Sequence, residues 1–176
     1  VIDSYRYNPQ KAIDYMVEKG ACSYKDGIMY FRDAPVRLSL IYPSGNKARE
    51  LSAPVIQENL KNIGIDVQLK KMEFSELTEL TRKGDYDMAL IGNGFKLDPD
   101  VSRMFSSSSI DSNNLSRYAN EELDQLLVDG VKSYSHALRK EIYGEVAVHI
   151  NEHLPIVFLY NWSEGRVLSE RLKGVE

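Results

Sequence analysis

Leu60-Lys61-Asn62-Ile63-Gly64-Ile65-Asp66-Val67-Gln68-Leu69 is the stretch that decides the fold of this chain. It holds the end of one element, a stop signal and the start of another. Leu60 closes an apolar series at helical spacing with Leu51, Val55 and Ile56, and Gly64 stops that helix. Ile65, Val67 and Leu69 then alternate with Asp66, Gln68 and Lys70, the period of a strand with one buried face. Upstream, Val36, Leu38 and Leu40 alternate with Arg37 and Ser39, and the strand they predict ends in the turn formers Tyr42-Pro43-Ser44-Gly45-Asn46. The helix between the two strands contains Pro54, which removes a hydrogen bond and costs ~3 kcal/mol in a helix interior. Either the helix is kinked there, or Ser52 caps a fresh start with Pro54 in its first turn. Downstream, a helix is predicted from about Ser75 to Lys83 with Gly84 as its stop. Tyr86-Asp87-Met88-Ala89-Leu90-Ile91 follows as a third strand, and its four-residue apolar run predicts burial on both faces and a central place in the sheet.

The order strand, helix, strand, helix, strand with short connections is a βαβαβ unit, with parallel strands and right-handed crossovers. Its loops Tyr42–Asn46 and Gly92–Asp100 leave the carboxyl ends of strands. They should share the edge where open α/β sheets bind ligands.

The flanks are less regular. Asn8, Pro9 and Gly20 punctuate a first helix whose face carries Ala12, Ile13, Met16 and Val17. Lys25-Asp26-Gly27 reads as a tight turn before a strand at Ile28–Phe31. Ser106–Asn114 is polar and loop-like. Asn120 caps a helix carrying Leu123, Leu126, Leu127 and Val131, with Glu121 and Glu122 in its first turn. Ser135 caps a longer helix with Leu138, Ile142, Val146 and Ile150 as its stripe, and Pro155 ends it. Ile156-Val157-Phe158-Leu159-Tyr160 reads as a buried strand. The charged tail 163–176 carries a possible strand at Arg166–Leu168. Residues 1–176 read as a single α/β domain of mixed, largely parallel sheet flanked by helices, with no internal repeat.

Composition narrows the function classes. Hydrophobic residues make up 43% and charged residues 27% of 176, as in globular proteins, and no apolar run reaches the length of a membrane span. A net charge of -4 argues against a nucleic-acid partner. Val1 opens on no secretory leader. Three His and one Cys, Cys22, cannot build a dedicated structural zinc site or a disulfide.

Few residues suggest chemistry. Glu145, His149 and His153 lie one turn apart and could line up on a metal, but both His fall in an apolar stripe and the spacing is not HExxH. Gly92-Asn93-Gly94 lacks the third Gly of a dinucleotide loop and the Lys of a P-loop, so it reads as a turn that brings backbone close to a ligand or another domain. Asp85 and Asp87 sit at a strand start, away from the ligand edge, as solvated acids. Asp98 lies at that edge, where it either binds a cationic group or shapes the turn before Pro99, with Asp100 capping a short helix at Val101–Phe105. No GxSxG occurs and Cys22 has no neighbouring His in sequence, so no enzyme is predicted and no cofactor is called for. Asn114-Leu115-Ser116 and Asn161-Trp162-Ser163 are formal glycosylation triplets, of a kind common by chance.

Several segments together resemble the extracellular solute-binding proteins of family 5, the oligopeptide-, dipeptide- and nickel-binding components of ABC importers. Tyr7-Asn8-Pro9-Gln10-Lys11-Ala12 is similar to the family's "Y-N-P-E-K-A" helix start, and Leu38 through Asn46 to its strand and loop. Leu60 through Val67 resembles "L-K-x-I-G-I-D-V", and Gly84-Asp85-Tyr86-Asp87-Met88 resembles "G-D-Y/F-D-M". Asp98-Pro99-Asp100, Asn114 with Tyr118, Asn120–Leu127 and Leu154-Pro155-Ile156 continue the series over nearly the whole chain.

The resemblance implies the second, C-terminal lobe of a two-lobe, type II periplasmic-binding-protein fold, with the tail 163–176 returning toward the missing first lobe, in a non-enzymatic receptor that closes on a peptide or other small solute. It further implies an extracytoplasmic place, in the periplasm or as a cell-surface lipoprotein, and two partners: ABC permease subunits and the missing first lobe of the same protein. In the family's peptide binders an Asp four residues before the Pro of the "D-P" turn anchors the peptide amine; here that position is Phe95. Asp98 could substitute, or Phe95 could stack on an apolar or cyclic group. The expected ligand-side residues are Tyr42, Asn46, Asn93, Gly94, Phe95, Asp98 and Trp162, with hinge or core packing an equal reading for Trp162. A ligand-sensing domain of a regulator on the same fold is the alternative function, and a metal enzyme on the Glu145/His149/His153 line is a third.

Overall fold

The computed structural model describes residues 5–20, 22–94, 97–161 and 171. Helix α1 spans Pro9–Glu18. The Asn8 side chain accepts the Lys11 amide at 2.9 Å, and Pro9 occupies the first turn, where no donor is needed. Strands β1 (Cys22–Lys25) and β2 (Ile28–Phe31) form an antiparallel hairpin. Asp26 and Gly27 both have positive φ, the two-residue turn whose twist suits a hairpin. A short β3 (Ala34–Pro35) adds to β2. The sequence pattern marked β2 and its turn; β1 and β3 carry too little alternation to be seen.

The parallel unit follows as β4 (Arg37–Pro43), α2 (Lys47–Lys61), β5 (Asp66–Met72), α3 (Phe74–Lys83) and β6 (Met88–Ala89). Its strand order is β5-β4-β6, all parallel, with Arg37 opposite Asp66 and Leu40 opposite Met88. The βαβαβ reading stands, with one correction. The central strand among the described residues is β4; β6 lies to one side and pairs over two residues only. An apolar run reports cover above and below the sheet, which a strand at the side also receives, so it does not fix strand order. Asp87 is exposed, as its place at a strand start suggests, but it is also bonded: its Oδ2 accepts the Ser39 amide at 2.7 Å and the Ser39 hydroxyl at 2.8 Å. The side chain continues the β4–β6 ladder by one bond, and those two bonds hold its pKa below the ordinary value.

Helix α2 runs unbroken through Pro54, which is exposed. Ser52 does not cap a new start; its hydroxyl donates to the Ala48 carbonyl at 2.8 Å. The buried stripe also differs from the expected one. Ala53 is fully buried and Ile56 and Leu60 pack beside it, while Leu51 and Val55 are exposed. Positions 53, 56 and 60 share one side of the helix and 51 and 55 another. With Ile13, Met29, Leu40, Val67 and Leu90, Ala53 forms the core between helices and sheet.

Beyond β6 come α4 (Ser102–Phe105), a 3-10 turn at Ser107–Ser109, α5 (Glu121–Lys132) and α6 (His136–His153). They enclose a second core of Met104, Phe105, Leu123, Leu127, Val146 and Ile150. Asn120 and Ser135 cap α5 and α6 as read. The α6 stripe is shifted: Leu138 is exposed, Ile142 half-buried, and His149 joins Val146 and Ile150 inside. Fully buried Asn114 organises the loop between the cores, donating to the carbonyls of Ser106 and Tyr118 at 3.0 and 2.8 Å. The Tyr86 hydroxyl donates to the Leu115 carbonyl and ties the two parts together. The strand expected at Ile156–Tyr160 does not form among the described residues. Val157 is 67% and Phe158 59% exposed, and no described strand pairs with them. The possible strand at Arg166–Leu168 lies outside the described residues.

Gly64 fixes how the hairpin meets the parallel sheet. Its carbonyl accepts the Met29 amide at 2.9 Å, its φ is +79°, and a Cβ there would lie 2.6 Å from the Met29 nitrogen. Any side chain would suffer both the left-handed conformation and a backbone collision. Gly45 has a similar φ of +75° but open space around it. Gly64→Ala should therefore cost about 3 kcal/mol and Gly45→Ala about 1 kcal/mol, measured by urea unfolding. Equal costs at the two sites would show that the close approach to β2 carries no energy.

Candidate functional site

The carboxyl edge of the sheet is built by the exits of β4, β5 and β6. At the end of β4 the chain turns through Ser44, whose amide donates to the Met72 carbonyl at 2.7 Å and whose hydroxyl donates to Glu73 at 2.8 Å. The Gly45 amide donates to Glu50 at 3.0 Å, and the other Glu50 oxygen lies 3.9 Å from the Lys71 ammonium. Asn46 accepts the Arg49 amide at 3.1 Å and so starts α2. Tyr42 sits one step back, 9% exposed, with its ring in the first core.

Beyond β6, Leu90 is still bonded to the Ile41 carbonyl, and Gly92, Asn93 and Gly94 then run exposed along the edge. The Arg49 guanidinium lies across Gly92: a Cβ built there would fall 2.2 Å from its Nη2. Asp98 accepts the Asp100 amide at 2.9 Å, and Asp100 accepts both the amide and hydroxyl of Ser102 at the start of α4. Asp98 also accepts Arg139 Nη2 on both oxygens, at 2.9 and 3.1 Å. That pair joins the edge to α6, and the Arg139 cation also lies 5.4 Å from the centroid of the Tyr143 ring. An open cavity of about 320 Å³ beside it is lined by Gly94, Asp98, Val101, Met104, Val131 and Arg139, within the size range of small-ligand sites.

Of the residues read from the sequence, Asn46 lies at the exit of β4 and Asn93, Gly94 and Asp98 follow β6; Gly94 and Asp98 share the cavity, Asn93 faces a second hollow with Phe74 and Ser112, and Tyr42 packs in the first core. Phe95 and Trp162 lie outside the described residues. The pattern did not reveal Arg49 or Arg139. Each is a cation in the first turn or so of a capped helix, and nothing in the spacing says that its side chain crosses to a neighbouring loop.

The two histidines of the Glu145/His149/His153 line are engaged in other contacts. His149 meets the Tyr118 hydroxyl at 2.9 Å through Nε2, and its ring stacks on His153 with centroids 4.1 Å apart. Among the described residues no group of three or more His, Cys, Asp or Glu could hold a metal. Burial, then the neighbouring His153, lowers the His149 pKa, against weaker opposing pulls from Glu122 and Glu152.

The model of the bacterial extracellular solute-binding proteins, family 5 middle region, matches residues 2–115. The oligopeptide-binding protein AppA of Bacillus subtilis is 31% identical over 98% of this chain and 33% of its own length. The solved structure of AppA from Bacillus subtilis with a nonapeptide superposes with a TM-score of 0.81 at 30% identity, covering 88% of this chain and 32% of that one. The structure of NikZ from Campylobacter jejuni with Ni(L-His) shares the fold, with a TM-score of 0.78 at 23% identity, over 88% of this chain and 32% of that one. The chain thus spans about a third of the length of the relatives it matches. The mixed α/β architecture is that of the type II periplasmic binding proteins.

The lowered His149 pKa gives a signed pH dependence. The folded state resists protonation that the unfolded chain accepts near pH 6.5, so stability falls as pH drops below about 6.5 toward the folded pKa. The slope should reach at most about 1.4 kcal/mol per pH unit for this one proton. His149→Asn should remove that component from unfolding curves taken between pH 7 and 5, whereas an unchanged acid limb would place the titration elsewhere.

Proposed function

This chain belongs to the bacterial extracellular solute-binding proteins of family 5, and on that premise we propose that it is one lobe of a receptor that binds an oligopeptide in an interlobe cleft and delivers it to an ABC permease. The supporting observation is the likeness to AppA, whose solved complex holds a nonapeptide, together with an exposed carboxyl edge that offers half a cleft. The reading makes the protein a binding component rather than an enzyme. It places the protein outside the cytoplasmic membrane, in keeping with a family of extracellular proteins. No helix among the described residues is long and apolar enough to cross a membrane. None of the relatives named above points to a regulator.

In this reading the ligand lies along Asn46, Asn93 and Gly94 and reaches toward the Arg139-bound Asp98. Tyr42 supports the edge from the core side. Phe95 and Trp162 enter on sequence grounds alone. The partner lobe supplies the opposite wall, and ligand binding favours the closed arrangement because only that arrangement contacts the ligand on both sides.

The exposed run Val157–Tyr160 supports a missing partner surface. Four consecutive large apolar residues in water are unusual for a finished monomer. We assign this run to the return of the chain toward the absent lobe.

Native mass spectrometry of the whole two-lobe protein, purified without refolding, should show a ladder of co-purified peptides. A single non-peptide mass, or a metal chelate, would remove peptides as the solute class. The 176-residue chain alone should bind the same peptides roughly 100-fold more weakly or worse, because half a cleft leaves most of the ligand in water. Equal affinity of the two would overturn the interlobe site.

A further inference from the structure

We propose that the stacked His149–His153 pair is a proton-operated release on the last turn of α6, which opens in acid and slackens the two chain segments tied to it. The opening itself is independent of the solute; its effect on solute binding rests on the receptor reading above. The two imidazoles stack with centroids 4.1 Å apart and planes 15° from parallel, and the Tyr118 ring stands 6.1 Å from each. His149 is 7% exposed, next to Ile150 of the second core, and its Nε2 meets the Tyr118 hydroxyl at 2.9 Å. His153 is exposed, and its Nδ1–H donates to the His149 carbonyl at 3.0 Å. The same turn holds two other segments. The Tyr5 hydroxyl donates to the Asn151 carbonyl at 3.2 Å, which ties the lead-in of α1 to it. Leu154 ends the helix at a φ of +46°, with its amide on the Ile150 carbonyl at 2.9 Å, and the exposed run Val157–Tyr160 leaves from there. A leucine rests in the left-handed region only while its surroundings hold it there.

The carbonyl end of α6 favours one positive charge on the pair. A second proton sets two like charges a ring-stack apart, one of them cut off from water. Burial and then the His153 charge accordingly hold the His149 pKa below its ordinary value. The titratable groups around the pair among the described residues are Glu122 of α5, Glu145 and Glu152 of α6, Tyr118 before α5 and Tyr5 before α1. The two tyrosines are neutral in acid. The three glutamates are exposed, so water and salt screen their pull. The second proton is therefore relieved by swinging the His149 ring out into water. That unstacks the pair, breaks the Tyr118 contact and takes a filler from beside Val146 and Ile150, and the turn opens. In the proposed receptor both tied segments lead toward the other lobe. Slackened, they hold the closed arrangement less firmly, and the solute is released.

Hydrogen exchange of the whole two-lobe protein, followed by mass spectrometry from pH 7.5 to pH 5 and corrected for the intrinsic rate, reads the turn directly. The amides of residues 150–154 should lose protection below about pH 6.5, by up to about 10-fold per pH unit for one proton, while those of β4 and β5 keep theirs. His149→Gln, which cannot take the proton, should keep the turn protected throughout. His153→Gln, a change at an exposed position, should move the loss to lower pH because the neighbouring charge is gone. Isothermal titration with a synthetic random hexapeptide pool gives the second readout. The wild type should bind the pool at least about 5-fold more weakly at pH 5 than at pH 7.5, and His149→Gln should not share that loss.

A wild-type turn that stays protected through pH 5 overturns the switch. So does a loss that His149→Gln shares, which assigns the proton to another group, or one that His153→Gln leaves at the same pH, which makes His149 act alone. A pool that binds at pH 7.5 and weakens equally in wild type and His149→Gln overturns the link between the turn and the lobes. A pool that does not bind at pH 7.5 removes the peptide reading, and the exchange result alone then decides the switch.

Discussion

The backbone contact between Gly64 and Met29 sets the geometry on which the rest of the first core depends. At that point the chain leaves α2, reverses in a left-handed turn and enters β5, and at the same point it receives the amide of β2. The turn's position fixes where β5 begins beside β4. The hydrogen bond fixes how far the antiparallel hairpin stands from the parallel sheet. With both set, Ile13, Met29 and Val67 can share one interior with Ala53. Packing in such an interior is dense enough that a shift of one methyl group is felt by all of them.

Much of this arrangement was legible in the sequence, and the reasons for the failures are physical. Alternation at Val36–Leu40 and Ile65–Leu69, with Gly64 and Gly84 as stops, specified two strands, two helices and their order. Strand order within the sheet was not legible, because the apolar run at 88–91 reports cover rather than neighbours. The buried side of α2 was misread because Leu51 and Val55 outweigh small Ala53 on any hydrophobicity count, yet it is Ala53 that lets the helix approach the sheet. The bonds of exposed Asp87 were not legible because its partner, Ser39, is 48 residues away in sequence. The run Ile156–Tyr160 has the composition of a strand, and composition does not supply a neighbour.

The site was legible as an edge and not as a set of contacts. The topology located the two loops that form that edge. The electrostatics were hidden because they depend on side chains that cross between elements. Asp98 appeared able to take a cationic ligand, yet Arg139 from α6 reaches it first. That pair is partly open to water, so it adds little to the fold. On the proposed receptor reading its larger effect is on recognition, since it neutralises a carboxylate at the edge where a ligand amine would seek one.

The run Val157–Tyr160 has a consequence for the life of the chain before assembly. Together with Ile156 it forms an uncharged, β-prone, aromatic-containing stretch just past Pro155, and it stands in solvent without a ladder partner among the described residues. Such stretches are templates for cross-β pairing between identical molecules. A chain whose run stays uncovered therefore presents a cohesive stretch to its neighbours, and any surface that covers the run protects it from coagulation. The same segment that invites a covering surface makes an uncovered chain prone to self-association.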